Sequence, residues 1–144
     1  MRLRWIPWLN LTVLTCTSFV HADAPPDRYT APSAGVVYDV RTKLTWQQDV
    51  SGIPYTLDTA TSYCANLSLA GSGWRVPSLY ELLTLVDLTQ ENPAIDKKAF
   101  PNTPPVRTWA LSESNKRLGW TVHFFEGTSS MLGADAQCMV RCVR

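Results

Sequence analysis

Imidazole and thiol groups are the most reactive side chains in this sequence, and they are few and scattered. Beyond the first 22 residues the chain has one histidine, His123, and three cysteines, Cys64, Cys138 and Cys142. Nucleophilic catalysis needs an imidazole beside the nucleophile and a third group that orients it, and no such set surrounds His123. A zinc site needs about four N, S or O ligands, which these residues do not supply. We therefore predict no catalytic residue, no metal site and no cofactor, and we do not expect an enzyme.

Aromatic side chains beside a polar segment give the best candidate for ligand binding. Trp109 and Trp120 border residues 112–119, which include Glu113 and Asn115. A polar loop between two rings could hold a sugar or a peptide, so we take Trp109, Glu113, Asn115 and Trp120 as the candidate ligand-binding residues. The alternative is that both rings belong to strands and face the core, which is the more common position of large aromatic side chains.

The first 22 residues have the pattern of a secretory signal. Arg2 and Arg4 precede an uncharged, apolar run over residues 5–20, and Val20 and Ala22 suit the two positions that a signal peptidase reads. A membrane anchor is the alternative, but this run is shorter than the roughly 20 residues that cross a bilayer. Cleavage after Ala22 would leave one domain without a membrane span, in the periplasm or outside the cell.

The charge of the chain argues against nucleic acid as a partner. There are 13 basic and 12 acidic residues, and loss of Arg2 and Arg4 would change the net charge from +1 to about −1. Neither sign forms a long run. Proteins that bind nucleic acid carry clustered positive charge, which this sequence lacks.

The elements that must position these residues begin after a proline-rich stretch. Residues 23–34 are predicted to be an extended leader, with the ordered domain over residues 35–144. Residues 36–38 and 44–46 are short β-type runs joined by a polar hairpin loop. Residues 56–67 form a helical pattern with four residues on one face: Ala60, Tyr63, Cys64 and Leu67.

A second helix is predicted to begin at Ser78. Glu81 follows three residues later, so the two side chains can form a capping box, and Pro93 is expected to end the helix. Residues 92–105 contain four prolines and are predicted to be irregular. Strands are predicted over 108–111, 120–125 and 139–143, with a loop over 127–136. Helices grouped between runs of strands predict an α+β fold.

Several short motifs, in order, resemble the Legionella collagen-like protein C-terminal domain family. They are Val37-Tyr38-Asp39, Leu44-Thr45-Trp46-Gln47, Tyr63-Cys64-Ala65-Asn66-Leu67, Trp74-Arg75-Val76-Pro77-Ser78, Asn92-Pro93-Ala94-Ile95-Asp96 and Val140-Arg141-Cys142-Val143-Arg144. The resemblance implies a C-type-lectin-like fold, in which two helices flank a twisted antiparallel sheet and the two termini pair. It also implies a distant similarity to formylglycine-generating enzymes. Trp46 and Trp74 lie inside these motifs and are expected in the core, and Arg75 is expected to form a buried pair with a carboxylate.

The resemblance also decides between two cysteine pairings that the residues alone leave open. A strand over 139–143 would hold Cys138 and Cys142 about 13 Å apart, too far for a disulfide, so Cys64 could pair with either. Lectin-like domains link the first helix to the last strand, which implies a Cys64–Cys142 disulfide and an unpaired Cys138.

Relatives with adhesive roles imply a binding module for a carbohydrate, for example a sulfated polysaccharide, or for an envelope protein. Two alternatives use Cys138. One is an oxidoreductase related to the formylglycine-generating fold, and the other is a structural subunit of an envelope assembly with an intermolecular disulfide.

Overall fold

The computed structural model describes residues 27–112 and 117–144. This part of the chain contains three strands, two helices and three more strands, in that order. The bounds are β1 Tyr29–Ser33, β2 Val36–Asp39, β3 Leu44–Gln47, α1 Leu57–Ala65, α2 Leu79–Leu83, β4 Arg107–Ala110, β5 Leu118–His123 and β6 Thr128–Gly133. The strands form two antiparallel sheets, β1-β2-β3 and β4-β5-β6, which confirms the α+β class. The predicted signal sequence, residues 1–22, lies outside the described residues.

The first sheet begins earlier in the chain than the sequence suggested. We expected order to start at Gly35, but β1 pairs with β2 and belongs to the sheet. Pro32 is compatible with this position because β1 is an exposed edge strand, where a missing N–H costs no ladder hydrogen bond. Just before β1, Arg28 forms an ion pair of 2.7 Å with the buried Asp39 and donates to the Thr84 carbonyl. The N-terminal edge is thereby fixed to both β2 and the end of α2.

The Arg28–Asp39 pair controls the ionisation of a fully buried carboxylate. Burial alone would raise the pKa of Asp39, but hydrogen bonds from the Arg28 guanidinium and the Arg41 backbone lower it below its usual value. Asp39 therefore keeps its charge inside the protein, where an unpaired carboxylate would be very costly.

Helix α1 is the helix that the apolar spacing predicted. Thr56 is its N-cap, and the side chain accepts from the backbone N–H of Thr59. Asn66 caps the other end. Leu57, Ala60 and Cys64 lie on its buried face, in one core cluster with Trp74 and Trp109.

Helix α2 starts as predicted but ends early. Ser78 and Glu81 form the complete capping box. Glu81 also holds Arg75 through two charge-assisted hydrogen bonds of 2.6 and 2.7 Å, which confirms the expected carboxylate partner for Arg75. The expectation that this pair is buried was wrong, because the Arg75 side chain is 48% exposed. The expectation that Pro93 ends this helix was wrong, because α2 ends at Leu83 and the chain then turns so that Val86 bridges Ile95.

The second sheet contains a strand that the sequence did not predict. Residues 127–136 were expected to form a loop, yet β6 pairs with β5 over six residues. Small polar residues (Thr128, Ser129, Ser130) have weak strand signals, and here backbone pairing decides the structure. One face of this sheet packs with Trp109 in the α1 cluster, and the other packs with Val122 in a second cluster that includes Trp46 and Phe100. The two faces of this sheet therefore cover two different hydrophobic clusters.

A segment that we name the C-terminal strap, residues 138–144, joins the two sheets. We expected a continuous strand over 139–143, but the strap pairs with four different partners through isolated bridges. Those partners are Trp46, Tyr55, Arg75 and Thr108. The strap also carries the Cys64–Cys142 disulfide, which confirms the predicted pairing, while Cys138 is free and buried. The C-terminal part of the chain thus pairs with the N-terminal sheet.

Arg141 of the strap is fully buried and has no carboxylate partner among the described residues. Its Nη2 donates to the Gln48 carbonyl and to the Thr103 hydroxyl, and its guanidinium stacks on the Phe100 ring at 4.6 Å. Its Nε and Nη1 make no hydrogen bond. Desolvation lowers the pKa of Arg141 to about 9. A buried cation with two unpaired nitrogens contributes little net stability.

Candidate functional site

The structure separates the two tryptophans that the sequence proposed for a ligand site. Trp109 is fully buried and its indole N–H donates to the Tyr55 carbonyl at 2.7 Å, so the ring has a core position. Trp120 is half-buried and packs against the other core cluster. The two rings lie on opposite faces of the sheet, because Trp109 pairs with Thr121 rather than with Trp120. Glu113 and Asn115 lie outside the described residues. Ligand contact by these four residues stays a prediction.

A different set of residues surrounds a cavity of about 370 Å³ between the second sheet and the strap. Its lining combines one cation, Arg107, with the imidazole of His123 and contains no carboxylate. The rest of the lining is mainly apolar, and the cavity falls in the size range of small-ligand sites. The other lining residues are Pro54, Val106, Leu132, Gln137, Cys138 and Met139.

The Arg107 side chain is held across the sheet by hydroxyl groups. Arg107 opens β4 and lies directly opposite His123 of β5. Its Nη1 donates to the Ser130 hydroxyl at 2.6 Å and approaches the Thr121 hydroxyl at 3.5 Å. Thr121 in turn donates to the Ser130 carbonyl at 3.1 Å, which orients the pair. Arg107 forms no ion pair within residues 27–112 and 117–144, so its charge is not neutralised there.

His123 presents a hydrogen-bond donor next to this charge. Its Nδ1 accepts from the Phe125 backbone N–H at 3.3 Å. A neutral imidazole that accepts at Nδ1 carries its proton on Nε2, which is then free to donate. Arginine and a histidine N–H together can bind an oxyanion such as a carboxylate, a sulfate ester or a phosphate.

Cys138 lines the same cavity without the properties of a reactive thiol. Burial raises the pKa of Cys138, and the nearby Arg107 charge only partly opposes this effect. The thiol is therefore protonated near neutral pH, whereas nucleophilic cysteines have a lowered pKa and an exposed sulfur. In the part of the chain that the structure describes, no group of three or more His, Cys, Asp or Glu residues could hold a metal ion.

Sequence reasoning missed the pair of Arg107 and His123 because the pairing is not local. The sequence showed no partner for His123, and Arg107 lay outside the predicted strand over 108–111. Their meeting depends on the register of β4 against β5.

Comparison with known proteins gives one clear result. A family model described as the Lcl C-terminal domain matches residues 35–144, which is most of the chain. No curated protein matches the chain. In the described residues, no helix has the length and the apolar character that crossing a bilayer requires.

Proposed function

Because the chain belongs to the Lcl C-terminal domain family, we propose that it is an exported, non-catalytic binding module with a C-type-lectin-like fold. Its ligand is an anionic carbohydrate, for example a sulfated polysaccharide, bound at the cavity of Arg107 and His123. The protein acts in the periplasm or outside the cell.

One observation carries the choice of ligand. Arg107 lines the cavity with no ion-pair partner among the described residues, and no carboxylate shares the lining. A sulfate ester presents several acceptor oxygens to the guanidinium fork, and His123 offers a further donor beside it. The apolar part of the lining suits the C–H faces of a sugar ring. A neutral sugar would leave the Arg107 guanidinium without a counter-ion.

The disulfide supports the proposed location. Cys64 and Cys142 are joined across the core, and stable structural disulfides form in oxidising compartments. The disulfide therefore supports export of the domain.

The disulfide link between α1 and the C-terminal strap, and the two helices beside antiparallel strands, agree with the lectin-like architecture that the family resemblance implies.

The test compares sulfated and unsulfated dextran of equal chain length, with the affinity for the purified protein measured by calorimetry at several salt concentrations. We expect binding of the sulfated polymer that weakens as salt rises. Substitution Arg107→Gln should lower the affinity about tenfold or more, because it removes a charge-assisted hydrogen bond. Arg41→Gln, at an exposed arginine of the β2–β3 turn, is the matched control and should bind like the wild type. Equal binding of both dextrans, or equal loss in both variants, would contradict the proposal.

An envelope protein is the second ligand class that the family resemblance suggested. Affinity capture with the wild type and with the Arg107→Gln variant identifies whether the bound molecule is a protein or a glycan.

The two roles proposed for Cys138 find less support. Its sulfur is buried, so neither an intermolecular disulfide nor thiolate chemistry is favoured in this conformation. Failure of alkylation in the native protein is the expected result for this cysteine.

A further inference from the structure

Two large apolar side chains line a second cavity, at the turn between β5 and β6. Leu88 is 77% exposed and Phe125 is 50% exposed, and both line a cavity of about 470 Å³. Single exposed apolar residues are ordinary on protein surfaces, but here two share one concave site. We name this site the acidic groove; the rest of its lining is Gln90, Glu91, Asn92 and Glu126.

The walls of the acidic groove are fixed to each other by backbone hydrogen bonds. The Asn92 N–H donates to the Phe125 carbonyl at 3.2 Å, and the Ala94 N–H donates to the Phe124 carbonyl at 2.6 Å. Gly127 allows the close approach of the two walls. Its φ is +76°, and an added Cβ would lie 2.6 Å from Val86 Cγ1. The groove therefore exists before any ligand binds, which lowers the cost of ordering it.

Its charge is of one sign. Glu91 and Glu126 supply two carboxylates, and no cation is part of the lining. Neither carboxylate forms an ion pair within the described residues. The Lys97 ammonium donates to the backbone carbonyl of Glu91 rather than to its carboxylate. The Glu126 carboxylate accepts from the Thr128 hydroxyl and has no cationic partner among residues 27–112 and 117–144.

We propose that the acidic groove binds a protein segment in which a lysine or arginine stands next to a large apolar residue. The apolar side chain covers Leu88 and Phe125, and the cation lies between the two carboxylates. The two carboxylates alone would attract any cation. Leu88 and Phe125 add selectivity, because they favour a cation that has a large apolar side chain next to it in the ligand. This site shares no lining residue with the cavity of Arg107, although the Phe125 and His123 rings are in contact with their centroids 6.3 Å apart. It attracts the opposite charge, so the proposal does not depend on the glycan ligand.

The test uses three fluorescein-labelled peptides of equal length and measures their binding to the purified protein by fluorescence anisotropy. One alternates lysine and leucine, the second has glutamate for lysine, and the third has serine for leucine. We expect the first to bind and each of the others to bind at least about tenfold more weakly. Phe125→Ser and Leu88→Ser should each weaken the first peptide about tenfold, and Glu91→Gln or Glu126→Gln about threefold each.

Two controls separate this site from others. Tyr80 is 83% exposed on α2 but does not line the groove, so Tyr80→Ser should leave peptide binding unchanged. Arg107→Gln should also leave it unchanged while it weakens the proposed glycan binding. Thermal melts check that each variant folds, and amide shifts on titration should be confined to residues 86–94 and 124–128.

Four results would overturn the proposal. They are equal binding of all three peptides, no binding of any peptide, equal loss of binding in Tyr80→Ser and Phe125→Ser, and shifts at the groove caused by a neutral oligosaccharide but by none of the peptides.

Discussion

Removal of the Cys64–Cys142 disulfide should cost this domain a large part of its stability. The two cysteines are 78 residues apart in the sequence, so the bond closes a long loop in the unfolded chain. The chain-entropy relation for a loop of that length gives about 4.5 kcal/mol at 25 °C. Small domains have a free energy of unfolding of about 5–15 kcal/mol, so a loss near 4 kcal/mol is close to the limit of folding.

The assay is urea unfolding of Cys64→Ala/Cys142→Ala, followed by fluorescence of the buried tryptophans. Cys138→Ala is the matched control, because it removes a buried sulfur from the same core cluster without breaking a cross-link. We expect the control to lose about 1 kcal/mol and the double variant to lose about 4 kcal/mol more than the control. Wild-type protein treated with a reductant should behave like the double variant. If the free energy of unfolding falls by the same amount in the double variant and in the control, the cross-link does not stabilise the protein through the unfolded state, which would contradict this prediction.

Three further predictions concern groups inside the fold. Arg141→Met should leave the free energy of unfolding equal to or above that of the wild type, since it removes a desolvated cation with two unpaired nitrogens; a loss above about 3 kcal/mol in urea unfolding would contradict this. Gly119→Ala should cost about 1–3 kcal/mol, because an added Cβ would lie 2.6 Å from the Trp109 ring, and thermal melts measure the loss. Asp39 has a lowered pKa in the folded protein, so its pairing with Arg28 stabilises above the unfolded pKa of about 4 and is lost as pH falls through the folded value. The stability difference between wild type and Asp39→Asn should therefore shrink below about pH 4, and a difference that stays constant to pH 2 would refute it.

Local signals predicted the helices of this protein well. The Ser78–Glu81 capping box and the apolar spacing around Cys64 each depend on residues within one or two helical turns, and both helices begin within one residue of the predicted position. The end of α2 was predicted less well, because a bridge between Val86 and Ile95 draws the chain away before Pro93 is reached.

Non-local pairing limited what the sequence could predict for the sheets and for the site. Strand β6 has small polar residues and is stabilised by its six-residue ladder with β5, a partner that the sequence does not identify. The same applies to β1, because Pro32 and the prolines before the strand are typical of a linker. Arg107 and His123 meet only through the β4–β5 register. The disulfide was predicted correctly because the family resemblance, rather than spacing, selected Cys142 over Cys138.

The position of the C-terminal strap also determines which contacts of the fold can form only late in synthesis. Every described strand and helix leaves the ribosome before residues 138–144, yet the strap supplies hydrogen bonds to β3 and to β4 and carries the second disulfide cysteine. Its contacts with Trp46 and Arg75 are separated from it by more than 60 residues, and such distant pairings form slowly. The hydrogen bonds that the strap supplies to β3 and β4, and the disulfide, can therefore form only after residues 138–144 have been synthesised.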